Sequence, residues 1–445
     1  MKIQQFYDKA LAQASYAILA NNEIALIDPE RDPQQYYEFA GEHKAKIIAV
    51  IETHPHADFI SSHLEIAQKT GAKIYISKMV GADYPHTPFD EGKVINIGKV
   101  KLKAINTPGH SPDSISIVAE DENGNKKAVF TGDTLFIGDV GRPDLREKAG
   151  KMTAKREELA KMMYHSTREK LMQLPDEVLV YPAHGAGSLC GKNLSSDLSS
   201  TIGKEKKENY ALQPMDEEAF VSLLLEDQPF IPKYFSYNVD VNKKGAESME
   251  ESTKSVPRLQ KDVKLKEDSL IVDTRPQEKF KKGHLKGAIN IMDGAKFETW
   301  LGSIIGPDEQ FYLVAEDEAV LEALIRRAAK IGYEKNIKGA ILNPESATET
   351  SPFFDYKQLQ ENPDEFTIVD IRNVSETRGN KIFEVSIHIP LPELRERANE
   401  IPKGKPVAIH CAGGYRSAAG ASIVERELKG AEVFDVGEDI KHFQR

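Results

Sequence analysis

Only two cysteines, Cys190 and Cys411, occur in 445 residues. So few thiols exclude a disulfide-stapled scaffold and fit a reducing compartment, which leaves each thiol to be judged by its own neighbourhood. Long apolar runs are also missing. IIAVI at 47–51 is among the longest, far short of the roughly 18 residues that a membrane span requires. The opening MKIQQFYDKALAQASY lacks the basic, apolar and small-residue order of a secretory leader, so a cytoplasmic address is expected. There is no basic block either. Lys and Arg number 59 against 70 Asp and Glu, a net charge of −11, which is a poor match to a phosphate backbone or an anionic bilayer. Neither nucleic acid nor a membrane is expected as a partner.

What is present is length for roughly three domains and a clear change of texture along it. From residue 3 to about 182, short Val- and Ile-rich runs alternate with turn signals: AILANNEIALID, KIIAVIETH, AKIYIS, VKLKAINTPGH, AVFTGD and EVLVYPAH. These read as strands with interleaved helices, an α/β or α+β domain. In REELAKMMYHSTREKLMQL, the spacing of Leu159, Met162, Met163 and Leu171 predicts an amphipathic helix over a sheet. KEKKEN at 204–209 reads as a solvated helix face. Residues 241–262 are polar, charged and poor in large apolar side chains, the composition of a linker. Beyond them the chain repeats itself. IVDTR at 271–275 recurs as IVDIR at 368–372, and INI at 289–291 recurs as IHI at 387–389, with separations that agree to within one residue. Two tandem α/β domains are implied, over 263–345 and 350–445, after a first domain over 1–240. Asp273 with Arg275, and Asp370 with Arg372, read as structural ion pairs.

Four of the N-terminal strand-like runs end at a metal-ligand type: His54, His110, Asp133 and His184, each beside Gly or Pro. Strand ends gather at one edge of a sheet, where loops on a rigid scaffold present functional groups. The motif THPHADF at 53–59, followed by TPGH, TGD and PAHG, resembles the metallo-β-lactamase superfamily. That resemblance implies an αββα sandwich with a metal at one edge. One position departs from the dinuclear hydrolases of that superfamily, which carry a second His after the motif's Asp; here it is Phe59. Phe cannot ligate, so a second site retains only Asp58 and His184. A mononuclear site of two His and one carboxylate suits non-haem Fe(II) and O₂, and the resemblance to the persulfide dioxygenase branch implies His54, His110 and Asp133 as ligands of one iron. His56 would then support the ligands, while Asp58 and His184 would be remnants of a second site. A zinc reading would instead use His54, His56 and His110. GRPD at 141–144 also resembles the dioxygenase branch, and Arg142 is expected to bind substrate.

Near the C-terminus, KPVAIHCAGGYRSAAGASIVEREL reads as an apolar strand, then Cys411, then a loop opening a helix. Gly413 and Gly414 let backbone N–H groups turn inward, Arg416 adds a positive charge, and the helix N-terminus adds its partial charge. A thiolate or persulfide anion is stabilised there. CAGGYR at 411–416 resembles the loop of an active rhodanese domain, which implies sulfane sulfur carried on Cys411, with Gly413, Gly414, Tyr415 and Ser417 binding substrate. The first repeat keeps FKKGHLKGAINI but has FYLVAEDEAV where the loop belongs, without Cys and with three acidic residues. It is expected to be an inactive rhodanese-like domain kept for packing or assembly. The second repeat has in turn lost the GH…GA stretch, reading NKIFEVSIHI. Cys190, in HGAGSLCGK, is close in sequence to the metal edge; a redox or persulfide-carrying catalytic role and a structural role both stand.

The whole order resembles the bacterial persulfide dioxygenase–rhodanese fusion family of sulfide detoxification. This implies one Fe(II) per chain and O₂ as co-substrate. It further implies oxidation of a thiol persulfide (of glutathione, coenzyme A or bacillithiol) to sulfite, sulfur transfer through Cys411 that makes or consumes thiosulfate, and a homo-oligomer. Two other classes remain open: a zinc thioester hydrolase resembling glyoxalase II, and a non-catalytic persulfide sensor.

Overall fold

The computed structural model describes residues 1–145 and 155–444. Two six-stranded sheets build the N-terminal unit. The first has the order β1 (Lys2–Asp8), β2 (Gln13–Ala20), β3 (Glu23–Ile27), β4 (Lys46–Ile51), β5 (Lys73–Ile76), β6 (Thr87–Pro88), antiparallel up to β3 and parallel beyond it. The second contains β7 (Val94–Ile97), β8 (Val100–Asn106), β9 (Ile115–Glu120), β10 (Lys126–Gly132), β11 (Leu179–Pro182) and β12 (Ser200–Thr201), adjacent in that order. Strand alternation explains the layering. In VKLKAIN of β8, Val100, Leu102 and Ala104 are buried while Lys101 and Lys103 are exposed. Tyr16, Ile18, Leu102, Ala104, Ala128 and Phe130 belong to one core between the sheets. Helices Gln34–Glu42 and His63–Thr70 supply Tyr36, Phe39 and Ile66 to a core over the first sheet. Helices Arg156–His165 and Glu217–Leu225 supply Met163, Phe220 and Leu224 to a core over the second. The layers are helix, sheet, sheet, helix, the αββα sandwich expected.

Two readings of side chains in this unit are corrected. Met162 is exposed, because the helix Arg156–His165 buries Leu159, Ala160 and Met163 and then widens into a single π-turn at Ser166–Lys170. KEKKEN is not merely a solvated face. Glu205 and Asn209 are buried; Glu205 accepts from Gly138 N (2.9 Å) and Ser200 Oγ (2.5 Å), and Asn209 Nδ2 donates to the Asp139 carbonyl (3.0 Å). The pair fixes the loop that follows Asp133.

Residues 241–262, expected as a linker, hold the end of helix Phe235–Lys244 and the helix Met249–Lys254, with Asn242, Met249, Ser252, Thr253 and Val256 buried. A second compact unit takes in 252–329 and 333–445. Its first sheet is parallel throughout and has the order β13 (Arg258–Leu259), β17 (Ile337–Leu342), β16 (Phe311–Ala315), β14 (Ile271–Asp273), β15 (Ala288–Asn290). Its second is also parallel, in the order β19 (Ile387–His388), β18 (Thr367–Asp370), β20 (Val407–His410), β21 (Val433–Asp435). The repeat is visible atom by atom. Arg275 Nη2 lies 2.6 Å from Asp273 Oδ2 and 2.9 Å from the Gly283 carbonyl, and Arg372 Nη2 makes the same two bonds, at the same lengths, to Asp370 and Asn380. These buried pairs are structural, as read from the sequence. Among the described residues no helix is long and apolar enough to cross a membrane.

Candidate functional site

The ends of β4, β8, β10 and β11 bring His54, His110, Asp133 and His184 to one edge of the sandwich, all of them buried. The ligand atoms of His54, His110 and Asp133 lie within 4.8 Å of one another, as do those of His56, Asp58 and His184, and those of Asp133, His184 and Cys190. Asp133 is shared between groups: its Oδ2 is 3.8 Å from His54 Nε2 and 3.5 Å from His110 Nε2, and its Oδ1 is 3.5 Å from His184 Nε2.

Backbone and hydroxyl groups set which imidazole nitrogen faces inward. His110 Nδ1 is 2.9 Å from the Arg142 carbonyl and His184 Nδ1 is 3.2 Å from the Ala12 carbonyl. A carbonyl only accepts, so Nδ1 carries the proton and Nε2 offers its lone pair. Thr53 Oγ1 donates to Asp28 Oδ2 (2.8 Å) and is thereby left to accept from His54 Nδ1 (3.0 Å), with the same result for His54. Three lone pairs therefore point toward one carboxylate. Neither oxygen of Asp133 or of Asp58 meets an N–H or O–H donor, and all four are buried. A buried carboxylate without donors is costly. A cation among these nitrogens and oxygens would compensate it, so the residues present fit a metal ion. Two glycines serve the same end. A Cβ on Gly141 would stand 1.8 Å from the Asp133 carbonyl oxygen, and one on Gly132, whose φ is +52°, would stand 2.6 Å from Thr53 Oγ1.

Other expected residues have definite places. Arg142 is 1% exposed, and its guanidinium is taken up by Asp144 (2.7 Å twice) and the Leu189 carbonyl (3.1 Å). It reaches the cluster through its own carbonyl. Cys190 is buried with Sγ among the ligand atoms, where burial, then Asp58 and Asp133, push its thiol well above the usual value. Phe59 stacks obliquely on His56, centroids 4.3 Å apart. His56 turns Nε2 to Asp28 Oδ1 at 3.1 Å, so among the described residues His54, His56 and His110 do not form one ligand group.

Asp28, Glu52 and His63 went unrecognised in the sequence. Asp28 accepts from the Thr53 amide (2.7 Å) as well as its hydroxyl, and Glu52 accepts from Ser61 Oγ (2.8 Å) and lies 3.6 Å from His56. Burial lifts Glu52 to about 8; the same burial opposes protonation of His56, yet Asp28 and Glu52 raise it to about 9. His63, buried beside them, is pushed down to about 3 by desolvation and by His56. Asp28 had the same signal as the ligands, a polar residue at a strand end after AILANNEIALI.

In the second unit Cys411 follows β20 and is 1% exposed. Its Sγ accepts from the Gly414 amide at 3.1 Å. Gly414 has φ +94°, and a Cβ there would meet the Gly437 backbone at 2.7 Å, so only glycine fits. Gly413 is exposed with open space around it, so one of the two expected inward amides reaches the sulfur. Arg416 forms a two-bond pair with Glu376 (2.6 Å each), and its guanidinium lies 5.8 Å from the Trp300 ring of the first repeat. Tyr415 Oη donates to the Met292 carbonyl (2.8 Å) and Ser417 Oγ to the Gly414 carbonyl (2.9 Å), so both shape the loop. In the first repeat the matching turn is spent otherwise: Asp317 Oδ1 accepts from Val320 N (2.9 Å) at the start of a helix, and Glu316 pairs with Lys279.

Comparison with known proteins identifies the folds that carry both clusters. The model of the metallo-beta-lactamase superfamily matches residues 8–184, and that of the rhodanese-like domain matches 254–341 and 355–445. The mitochondrial persulfide dioxygenase ETHE1 of Homo sapiens is 32% identical over 170 residues, 37% of this chain and 59% of that protein. The Bos taurus protein of the same name is 31% identical over 219 residues, 48% of this chain and 74% of that protein. A crystal structure of a metallo-beta-lactamase from Staphylococcus aureus subsp. aureus COL is 34% identical, covers 77% of this chain and 99% of its own, and superposes with a TM-score of 0.69. The chain thus belongs to the metallo-β-lactamase superfamily, in which it is a relative of the ETHE1 persulfide dioxygenases with tandem rhodanese-like domains following its metal-site fold.

Proposed function

We propose that the chain is a persulfide dioxygenase and sulfurtransferase: its N-terminal cluster oxidises a low-molecular-weight thiol persulfide with O₂ to sulfite, and Cys411 transfers sulfane sulfur. The observation that carries this reading is the grouping of His54, His110 and Asp133 beside a Phe59 that withdraws one donor from a second site. His54, His110 and Asp133 would hold an Fe(II), and such an ion would supply the redox chemistry that O₂ and an anionic sulfur substrate require. The chain's own part is orientation. The carbonyl of Arg142 and the hydroxyl of Thr53 hold Nε2 of His110 and His54 inward, and Cys190, kept as a neutral thiol, adds no charge to compete with an incoming persulfide anion. Persulfide, O₂ and water give thiol, sulfite and two protons, so three oxygens enter and three leave with sulfur. At the other site, Cys411 persulfide gives up its outer sulfur to sulfite, forming thiosulfate and restoring the thiol; the reverse uses the same atoms. The Gly414 amide and the helix N-terminus support the sulfur anion. Glutathione, coenzyme A and bacillithiol persulfides are the substrates to test, in a cytoplasmic and homo-oligomeric protein.

Crossed variants separate the two sites. His54→Ala is expected to abolish persulfide-dependent O₂ uptake and leave sulfur transfer from thiosulfate to cyanide intact, and Cys411→Ser to do the converse. Normal transfer by Cys411→Ser would remove the sulfurtransferase assignment. A second reading, a zinc thioester hydrolase, has one observation behind it: His56, Asp58 and His184 also share a ligand group. It requires two metal ions per chain and hydrolysis of a glutathione thioester.

A further inference from the structure

Asn242 falls in the stretch whose composition reads as a linker, yet it is 2% exposed and lies on the inner face of helix Phe235–Lys244 with Phe235, Asn238 and Val239. Its amide is committed to one loop. Nδ2 donates to the carbonyls of His56 (2.8 Å) and Phe59 (2.7 Å), and Oδ1 accepts from the Ser61 amide (2.9 Å). Two carbonyls on one side and an N–H on the other fix which end of the amide carries the nitrogen. The backbone around it is tied in the same direction: Asp83 N donates to the Lys243 carbonyl (2.9 Å), and Met249 N to Glu65 Oε2 (2.9 Å). All of these groups belong to the first compact unit, which contains residues 1–251.

The loop so held is part of the metal motif. The two carbonyls stand on either side of Asp58, so holding both fixes the peptide planes that aim its carboxylate. Asp58 Oδ2 is 3.4 Å from His184 Nε2, and the same nitrogen is 3.5 Å from Asp133 Oδ1. Two carboxylates facing one imidazole repel each other until a cation lies among them. Asp58 has no N–H or O–H donor on either oxygen, so its aim is set from the backbone. We propose that Asn242 is a positioning residue of the metal site: acting through the backbone of the loop from His56 to Ser61, it holds Asp58 in place for a cation before the cation arrives. The proposal rests on the reading of this cluster as a metal site. Aspartate at this position would keep the bond from Ser61 and lose both donors, and alanine would leave room for water to take up the two carbonyls.

The test is titration of Co(II) into the metal-free full chain against a competing chelator, without oxygen, with the d–d absorption of the bound ion as a second reading, for the wild type, Asn242→Asp and Asn242→Ala. Asn336→Ala is the control, because Asn336 Nδ2 likewise donates to two carbonyls, of Pro307 (2.7 Å) and Glu309 (2.9 Å), in the second unit. Co(II) affinity is expected to fall about tenfold or more in both Asn242 variants, with an altered absorption, and to be unchanged in Asn336→Ala. Melting temperatures with and without Co(II) separate positioning from packing: the rise on Co(II) binding should shrink in the Asn242 variants, whereas loss of a packing residue lowers both temperatures equally. If Asn242→Asp does not fold, Asn242→Ala carries the comparison. Wild-type affinity and absorption in folded Asn242→Ala, or an equal loss of affinity in Asn336→Ala, would overturn the proposal and leave the metal site standing. Absence of Co(II) uptake by the wild type would overturn both.

Discussion

Asp133 shows how closely single atoms define the first site. Both of its oxygens are buried among imidazole nitrogens, and its backbone carbonyl lies where Gly141 would carry a Cβ. Gly141→Ala is therefore expected to displace the Asp133 loop, costing about 1–3 kcal/mol by overpacking and lowering bound metal; thermal unfolding and metal analysis of the variant read both effects. A normal metal content would contradict the placement. At the second site, Glu376 takes both outer nitrogens of Arg416. Glu376→Gln would release that charge toward Cys411, and the expected result is faster reaction of the thiol with an anionic sulfur donor at neutral pH. Alkylation rates with iodoacetate and iodoacetamide, measured side by side, distinguish a gain in local positive potential from a general gain in access.

At the scale of elements, strand ends were the most readable feature. His54, His110, Asp133 and His184 could be found because an apolar strand, a turn former and a polar side chain recur in order, and the sheets then bring those ends to one edge. Asp28, Glu52 and His63 were not legible as a group, since their meeting depends on β3 lying beside β4 and on a helix beginning at His63, neither of which a single strand pattern encodes. Glu205 misleads for the opposite reason: a charge run looks solvated until a loop elsewhere in the chain supplies its donors. The Asp-x-Arg repeat was legible because each pair closes locally within its own turn. It also predicts a pH response. Arg372 holds Asp370 below its ordinary 3.8, and Arg416 holds Glu376 below its ordinary 4.5, against the burial that opposes both. Carboxylates depressed in the folded state contribute stability above their unfolded values and lose it as the pH falls through the folded ones. The second repeat should accordingly weaken on acidification below about pH 4.5, and Glu376→Gln should flatten that acid limb in a plot of melting temperature against pH. An unchanged limb would show that the pair contributes nothing there.

Across the whole molecule, the two proposed sulfur chemistries fall to separate compact units, one with buried groups that could hold a cation and the other with an amide donated to a thiol sulfur. Removing metal should therefore affect them unequally. The N-terminal unit, with its donor-less carboxylates, is expected to melt at lower temperature after chelation, while the unit carrying Cys411 keeps its transition. Calorimetry of holo and chelated protein reads the two transitions, and a uniform shift of both would contradict the assignment of the metal to the first.

One iron and one oxygen-consuming site per chain are tested together by metal analysis of protein purified without oxygen, coupled to O₂ consumption on a panel of thiol persulfides. About one iron per chain, uptake that depends on persulfide, and sulfite or thiosulfate as product are the expected result. Two zinc ions per chain with no uptake, and hydrolysis of a thioester in its place, would contradict it.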